Sequence, residues 1–175
     1  MKFIKAIVFI LIQTACFGQS TAKVSFSLYL ADVATIAVAK SNTTTNFVGT
    51  ASSLAGSALT FSSNNNLWIN FTSQVSSGIT RNITAQITSG SLPIGTTLKL
   101  TLISLHGTGS GTPGTTTTVP ITISSSPTII IRDIGNAFTA TGVGNGYNLT
   151  FELAITDYSQ LRSGNTSISI TFTIT

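Results

Sequence analysis

Apolar and polar side chains alternate along most of this chain. Between Ile79 and Thr88, the residues Ile83, Ala85 and Ile87 share one face with Ile79, and Thr, Asn and Gln occupy the other. The same alternation recurs in five further runs: Leu67-Ile69-Phe71, Leu98-Leu100-Leu102, Val119-Ile121-Ile123, Tyr147-Leu149-Phe151-Leu153-Ile155 and Ile168-Ile170-Phe172-Ile174. Because successive side chains of a strand point to opposite faces, this pattern predicts half-buried antiparallel strands.

Clusters of Gly, Asn, Ser and Pro separate the alternating runs. They lie at residues 62–66, 89–91, 107–114, 124–127 and 142–146, and such clusters are typical of turns. No stretch has the spacing of a convincing amphipathic helix. We therefore predict an all-β fold, an immunoglobulin-like antiparallel β-sandwich of roughly nine strands. A single domain is expected to cover residues 19–175.

The first residues have the layout of a secretory signal peptide. Lys2 and Lys5 precede an apolar run, Ala6–Ile12, that is too short to span a bilayer. Cys16 and Gly18 then place small residues before a cut at Gln19, so residues 1–18 are the predicted leader. The alternative makes Cys16 the lipidated residue of a lipoprotein. We expect a secreted or cell-surface protein, and a Gln after such a cut resembles exported proteins of Bacteroidetes-type bacteria.

Charge is scarce, at 7% of the residues. The basic residues beyond the leader are scattered, whereas nucleic-acid binding requires clustered Lys and Arg: they are Lys23, Lys40, Arg81, Lys99, Arg132 and Arg162. The single cysteine, Cys16, lies in the leader, so no disulfide is expected in the mature chain. We predict no nucleic-acid partner and no transmembrane segment in the mature chain.

The residues suited to catalysis are few. His106 is the single histidine, and the acids are Asp32, Asp133, Glu152 and Asp157. His106 precedes a glycine-rich loop, and no nucleophile elbow, paired-acid arrangement or calcium loop is recognisable. We therefore predict a protein that is not an enzyme, with no catalytic residues, no cofactor and no metal site.

The segment after the leader has its own alternating pattern. Val24, Phe26, Leu28 and Leu30 share one face. One interpretation is the first strand of the sandwich. The other is a self-assembly strand that leaves its own domain and completes another copy, by main-chain hydrogen bonds and alternate side chains.

Aromatic residues offer an alternative function. Trp68, Tyr147 and Tyr158 are the candidate platform of an extracellular glycan-binding module. The competing interpretation of Trp68 is that it fills the core.

The last residues, Leu161 to Thr175 (LRSGNTSISITFTIT), form a turn followed by a strand of alternating apolar and hydroxyl residues. This ending resembles the closing hairpin of fimbrial subunits and spore-coat-U-like secreted proteins. The resemblance implies an incomplete immunoglobulin-like sandwich that polymerises by donated strands. The expected function is a structural or adhesive surface protein, a pilin-like filament subunit whose partners are other copies of itself or related subunits.

Overall fold

A computed structural model describes residues 22–40, 46–51 and 53–175, so the predicted leader and Cys16 lie outside the described residues. Within those ranges the regular structure is almost entirely β. The strands are β1 Val33–Lys40, β2 Gly49–Thr50, β3 Thr60–Phe61, β4 Asn64–Gln74, β5 Arg81–Gly90, β6 Thr96–Leu102, β7 Ser110–Gly111, β8 Thr115–Thr116, β9 Ile121–Ile123, β10 Thr128–Ile134, β11 Ala137–Phe138, β12 Tyr147–Ile155 and β13 Ile168–Ile174. One short 3-10 helix, Tyr158–Gln160, follows β12.

The strands form two main antiparallel sheets. In the larger sheet the order is β7-β11-β4-β12-β6-β9, and β1 also pairs with β4. The smaller sheet has the order β13-β5-β10-β8, and β2 pairs with β3 in a separate two-stranded ribbon. The sheets pack together as an antiparallel β-sandwich, which confirms the predicted fold class.

The inner faces of the sheets supply one aliphatic core. In the larger sheet, Leu149 of β12 lies opposite Leu102 of β6 on one side and Leu67 of β4 on the other. The most deeply buried large apolar side chains come from both sheets: Ile69, Ile83, Leu98, Leu100, Ile123, Ile130, Ile131, Ile134 and Leu149. Each such side chain contributes about 1.5–3 kcal/mol when it leaves water. The alternation predicted six of these nine residues, whereas Ile130, Ile131 and Ile134 lie outside the predicted alternating runs.

Two apolar residues of the predicted strands lie outside the core. Ile79 and Val119 are both exposed, and β5 and β9 begin two residues after them. The Ile79 amide donates to the carbonyl of Ser76 at 3.1 Å, and Gly78 has a φ of +79°. The chain therefore turns at residues 76–79, because glycine adopts the left-handed conformation without steric cost.

Consecutive residues Ile130 and Ile131 are both buried, contrary to strict alternation. The pairing of β10 with β5 shifts register between Ile129 and Ile131. A β-bulge places an extra residue on one strand, so the alternation restarts after it. The irregularity explains how an unbroken isoleucine run fits a half-buried strand.

A buried threonine fixes the connection between β11 and β12. The Thr139 hydroxyl accepts a hydrogen bond from the Phe71 amide at 2.9 Å and is 3.3 Å from the Phe71 carbonyl, to which it donates. Asn70, also buried, accepts from the Gly142 amide and donates to the Asn145 carbonyl. These bonds satisfy polar groups that would otherwise be costly to bury.

We expect Leu100→Ala to lower the free energy of unfolding by about 2–5 kcal/mol, because Leu100 is fully buried and truncation leaves a cavity. Urea titration followed by circular dichroism measures the change. The matched control is Thr101→Ala, on the opposite face of β6, for which about 0.5 kcal/mol or less is expected. Equal losses for the two variants would contradict the assigned core face.

Candidate self-assembly site

The candidate self-assembly strand, Val24–Leu30, is exposed over its whole length. Phe26 and Leu28 are 83% and 89% exposed, and residues 22–32 belong to no strand. The first strand of the sandwich is instead β1, which begins at Val33. The interpretation of Val24–Leu30 as the first strand of the sandwich is therefore wrong. The chain divides at this point into two units, one ending at Leu30 and the other beginning at Ala31.

Exposure of this segment is energetically unfavourable. Val24, Phe26, Tyr29 and Leu30 are each more than 70% exposed, as is Leu28. Contiguous exposed apolar residues commonly mark an interaction surface, because their burial removes apolar area from water. The alternation of Val24, Phe26, Leu28 and Leu30 is that of a strand that would place one face against a core.

The C-terminal strand, β13, forms an edge of the smaller sheet. It pairs along its length with β5, from Ile168 opposite Gly90 to Ile174 opposite Ile83. Within the described residues no strand pairs with its other side. Natural edge strands usually carry a charge, a proline or a bulge that blocks further pairing. β13 has the sequence ISITFTI, which contains no charged residue and no proline. Its pairing with β5 has one register shift, between Ser169 and Ile170.

β13 also leaves part of the core uncovered. Its inward side chains are all only half-buried, although they pack against the core: Ile168, Ile170, Phe172 and Ile174. By contrast, the inward residues Leu98, Leu100 and Leu149 of the central strands β6 and β12 are fully buried. The sandwich thus presents a row of apolar side chains beside an unpaired backbone edge.

β1 lies beside β13 and is the corresponding edge of the larger sheet. Its pairing with β4 is regular from Val33 opposite Gln74 to Lys40 opposite Leu67. Ile36 of β1 is half-buried and Val38 is 36% exposed. In the described ranges β1 and β13 do not pair with each other, although some of their Cα atoms lie within 8 Å of one another. We call these two edge strands the open side.

An ion pair holds the start of β1. The Asp32 carboxylate contacts the guanidinium of Arg81, at the start of β5. Arg81 is largely buried and Asp32 is largely exposed. This pair lies at the end of the sandwich where β13 ends, because Asn82 exchanges two backbone hydrogen bonds with Thr175 at 2.8 and 2.9 Å. Sequence reasoning did not find it, since the two residues are distant in the chain.

The candidate glycan platform is split among different surfaces. Tyr147 is 4% exposed and stacks on Phe71, with the ring centroids 6.3 Å apart, so it belongs to the core. Trp68 lies on the opposite face of the sheet, half-buried and edge-on to His106 at 5.6 Å. Tyr158 is exposed on the 3-10 helix. The three side chains therefore do not form one surface.

The polar residues weighed for catalysis are also dispersed. His106 is exposed and its backbone pairs with Gly146. Glu152 lies opposite Lys99 on the outer face of the larger sheet. Asp157 caps the 3-10 helix, and hydrogen bonds from the side chains of Ser159 and Gln160 lower its pKa. Each side chain contacts a different part of the structure.

The candidate residues are not collected in a groove of the described structure. A shallow groove of about 430 Å³ lies where β4, β7 and β11 meet, and none of Trp68, Tyr147 and Tyr158 lines it. Within the described ranges, no three or more His, Cys, Asp or Glu residues form a group able to hold a metal ion. In the same ranges no helix is long and apolar enough to cross a membrane.

Comparison with protein-family models, with curated proteins and with solved structures returned no significant match to this chain. The exposed segment and the open side are the features of this molecule that bear on its function.

Because the phenol of Tyr147 is buried, the free energy of unfolding depends on pH in the alkaline range. Burial raises the pKa of Tyr147 above its ordinary value, and its hydroxyl donates to the carbonyls of Pro113 and Gly114. Above the ordinary tyrosine pKa of about 10, the unfolded chain loses this proton before the folded chain does. The contribution of the Tyr147 phenol to the free energy of unfolding is therefore fully present below about pH 10 and decreases as the pH rises further.

We expect Tyr147→Phe to reduce the loss of stability between about pH 9 and pH 11, relative to the wild type. Denaturant titrations across this range measure it. Tyr158→Phe is the control, because Tyr158 is exposed. The loss of stability of this variant over the same pH range should equal that of the wild type. An unchanged slope for Tyr147→Phe would show that this phenol does not couple to folding.

Proposed function

We propose that this chain is a secreted or cell-surface structural protein, not an enzyme, that assembles with other copies of itself by strand addition. Val24–Leu30 is the donor strand, and the unpaired edge of β13 on the open side is the acceptor. The assembly is a pilin-like filament or a related adhesive surface structure. The observation that carries this proposal is that one chain contains both an exposed segment of alternating apolar residues and an edge strand, β13, with the same alternation.

The donor and the acceptor match in length and spacing. Val24, Phe26, Leu28 and Leu30 lie at every second position, as do Ile168, Ile170, Phe172 and Ile174. Both stretches have seven residues, which as strands extend about 23 Å at about 3.3 Å per residue. An added strand would satisfy the free backbone groups of β13 and cover its half-buried row.

Charge favours the same pairing. β13 has no charged residue, and Val24–Leu30 also has none. No buried charge would therefore need compensation when the donor packs on the edge. The strand that resembles the closing strand of fimbrial subunits is this same β13, so the resemblance and the free edge point to one function. Localisation outside the cell rests on the predicted leader, residues 1–18.

The glycan-binding alternative receives no support from the arrangement of its aromatic residues. A sugar platform needs exposed rings on one surface, and Tyr147 is in the core. We therefore do not propose it as a second function.

We expect the mature wild-type protein to form oligomers and the double variant Phe26→Asp, Leu28→Asp to remain monomeric, because carboxylates cannot enter the apolar row. Gel filtration with light scattering, over a range of protein concentrations, measures this. The unfolding free energy of the monomer should change by about 0.5 kcal/mol or less, since the segment is exposed.

The matched control is Ser25→Asp, Ser27→Asp, which adds the same charges to the opposite face of the donor. This variant should oligomerise as the wild type does. Strand addition would be refuted by a wild-type protein that stays monomeric at every concentration, or by equal behaviour of the two double variants.

A further inference from the structure

β1 pairs regularly with β4 but buries very little. Three of its residues, Val33, Ile36 and Ala39, are half-buried, and the other five are exposed. The central strands β6 and β12 of the same sheet each have several fully buried residues. β1 therefore belongs to the sheet by its backbone more than by its side chains.

The inward face of β1 shows why. Ile36 lies opposite Phe71 and Val38 lies opposite Ile69, so both point to the same side as two core residues of β4. Ile36 packs against the core, but Val38 is still 36% exposed. Lys40 also lies on this face, opposite Leu67, and is exposed. The core is thus complete without most of β1.

Release of β1 would cost mainly its backbone hydrogen bonds with β4. Water replaces such bonds, so each contributes little to stability in net terms. Little apolar area would be exposed, because five of the eight residues are already exposed. Segments with few buried apolar contacts commonly open while the rest of a domain stays folded.

One ion pair opposes this release. Asp32 immediately precedes β1, and its carboxylate contacts the guanidinium of Arg81 at the start of β5. The Arg81 side chain is only 18% exposed, and within the described residues its Nε is buried without a hydrogen-bond partner. If β1 left, Asp32 would leave with it, and a largely buried cation would lose the acid that contacts it. Such a loss is unfavourable.

We propose that β1 is a strap that opens as a unit while the rest of the sandwich stays folded, and that the Asp32–Arg81 pair controls how often it opens. In the open state the edge of β4 from Leu67 to Gln74 is unpaired, beside the core residues Ile69 and Phe71. Salt screens the ion pair, so exposure of this second edge rises with ionic strength. The inference does not depend on strand addition between copies.

Hydrogen exchange measured by mass spectrometry at low urea concentrations tests the opening. The Phe26→Asp, Leu28→Asp protein is used, so that no assembled strand covers an edge. We expect amides of residues 34–40 to exchange with a weak dependence on urea. Amides of β6 and β12 should show a steep dependence, because their exchange requires global unfolding, which exposes far more surface.

Asp32→Asn in the same background tests the control by the ion pair. We expect exchange of residues 34–40 to become about two- to fivefold faster at low salt, as for the loss of one partly exposed ion pair. High sodium chloride should speed this exchange in the parent protein and have less effect in Asp32→Asn. The matched control is Glu152→Gln, which removes one negative charge opposite Lys99 on β6 and should leave exchange of β1 unchanged.

Two results would overturn the inference. If residues 34–40 share the steep urea dependence of β6 and β12, β1 opens only when the whole sandwich unfolds. If β1 opens separately but Asp32→Asn and Glu152→Gln have equal effects on its exchange, the ion pair does not control the strap. Neither result bears on whether the wild type oligomerises, so the proposed function is tested separately.

Discussion

The packing of two aliphatic sheet faces against each other is the interaction on which this structure depends. The inner residues of β4, β6 and β12 meet those of β5 and β10. Burial of these side chains offsets a large part of the conformational entropy that is lost when the chain is ordered. The two buried amide and hydroxyl groups of Asn70 and Thr139 then secure the connection that leads into β12.

The two sheets are held together by their inner faces. The strands at the edges of the sheets are the part of the structure on which the proposed assembly depends. Most strands of the larger sheet have neighbours on both sides, whereas β1 and β13 each have one. β13 lacks the charges that usually protect an edge, and its inward side chains are half-buried. An exposed segment with the same spacing occurs in the same chain. Both the exposed segment and β13 have seven residues without a charge, and the proposed assembly depends on their occurrence in one chain.

The low charge of the chain is consistent with this organisation. Strand faces that do not enter the core carry Thr, Ser, Asn and Gln, which hydrate well without strong long-range fields. The Thr88 and Thr171 hydroxyls, for example, lie 2.9 Å apart on the outer face of β5 and β13. In such a molecule one ion pair, Asp32–Arg81, has a clear local role, because it holds the start of β1 at a defined place.

The sequence alone determined the fold class and most of the core, because alternation with period two has a direct geometric cause in the strand. It also predicted a strand with Val24, Phe26, Leu28 and Leu30 on one face, whereas the structure contains no strand at residues 22–32. Local pattern could not decide whether that strand pairs within its own domain, since pairing depends on where distant edges lie. The pattern also could not show that Tyr147 lies in the core while Trp68 lies on the opposite face of the sheet, because the face that each side chain occupies depends on the register of the strands. The open side formed by β1 and β13, and the contact of Asp32 with Arg81, join residues far apart in the chain. Only the tertiary structure brings them together.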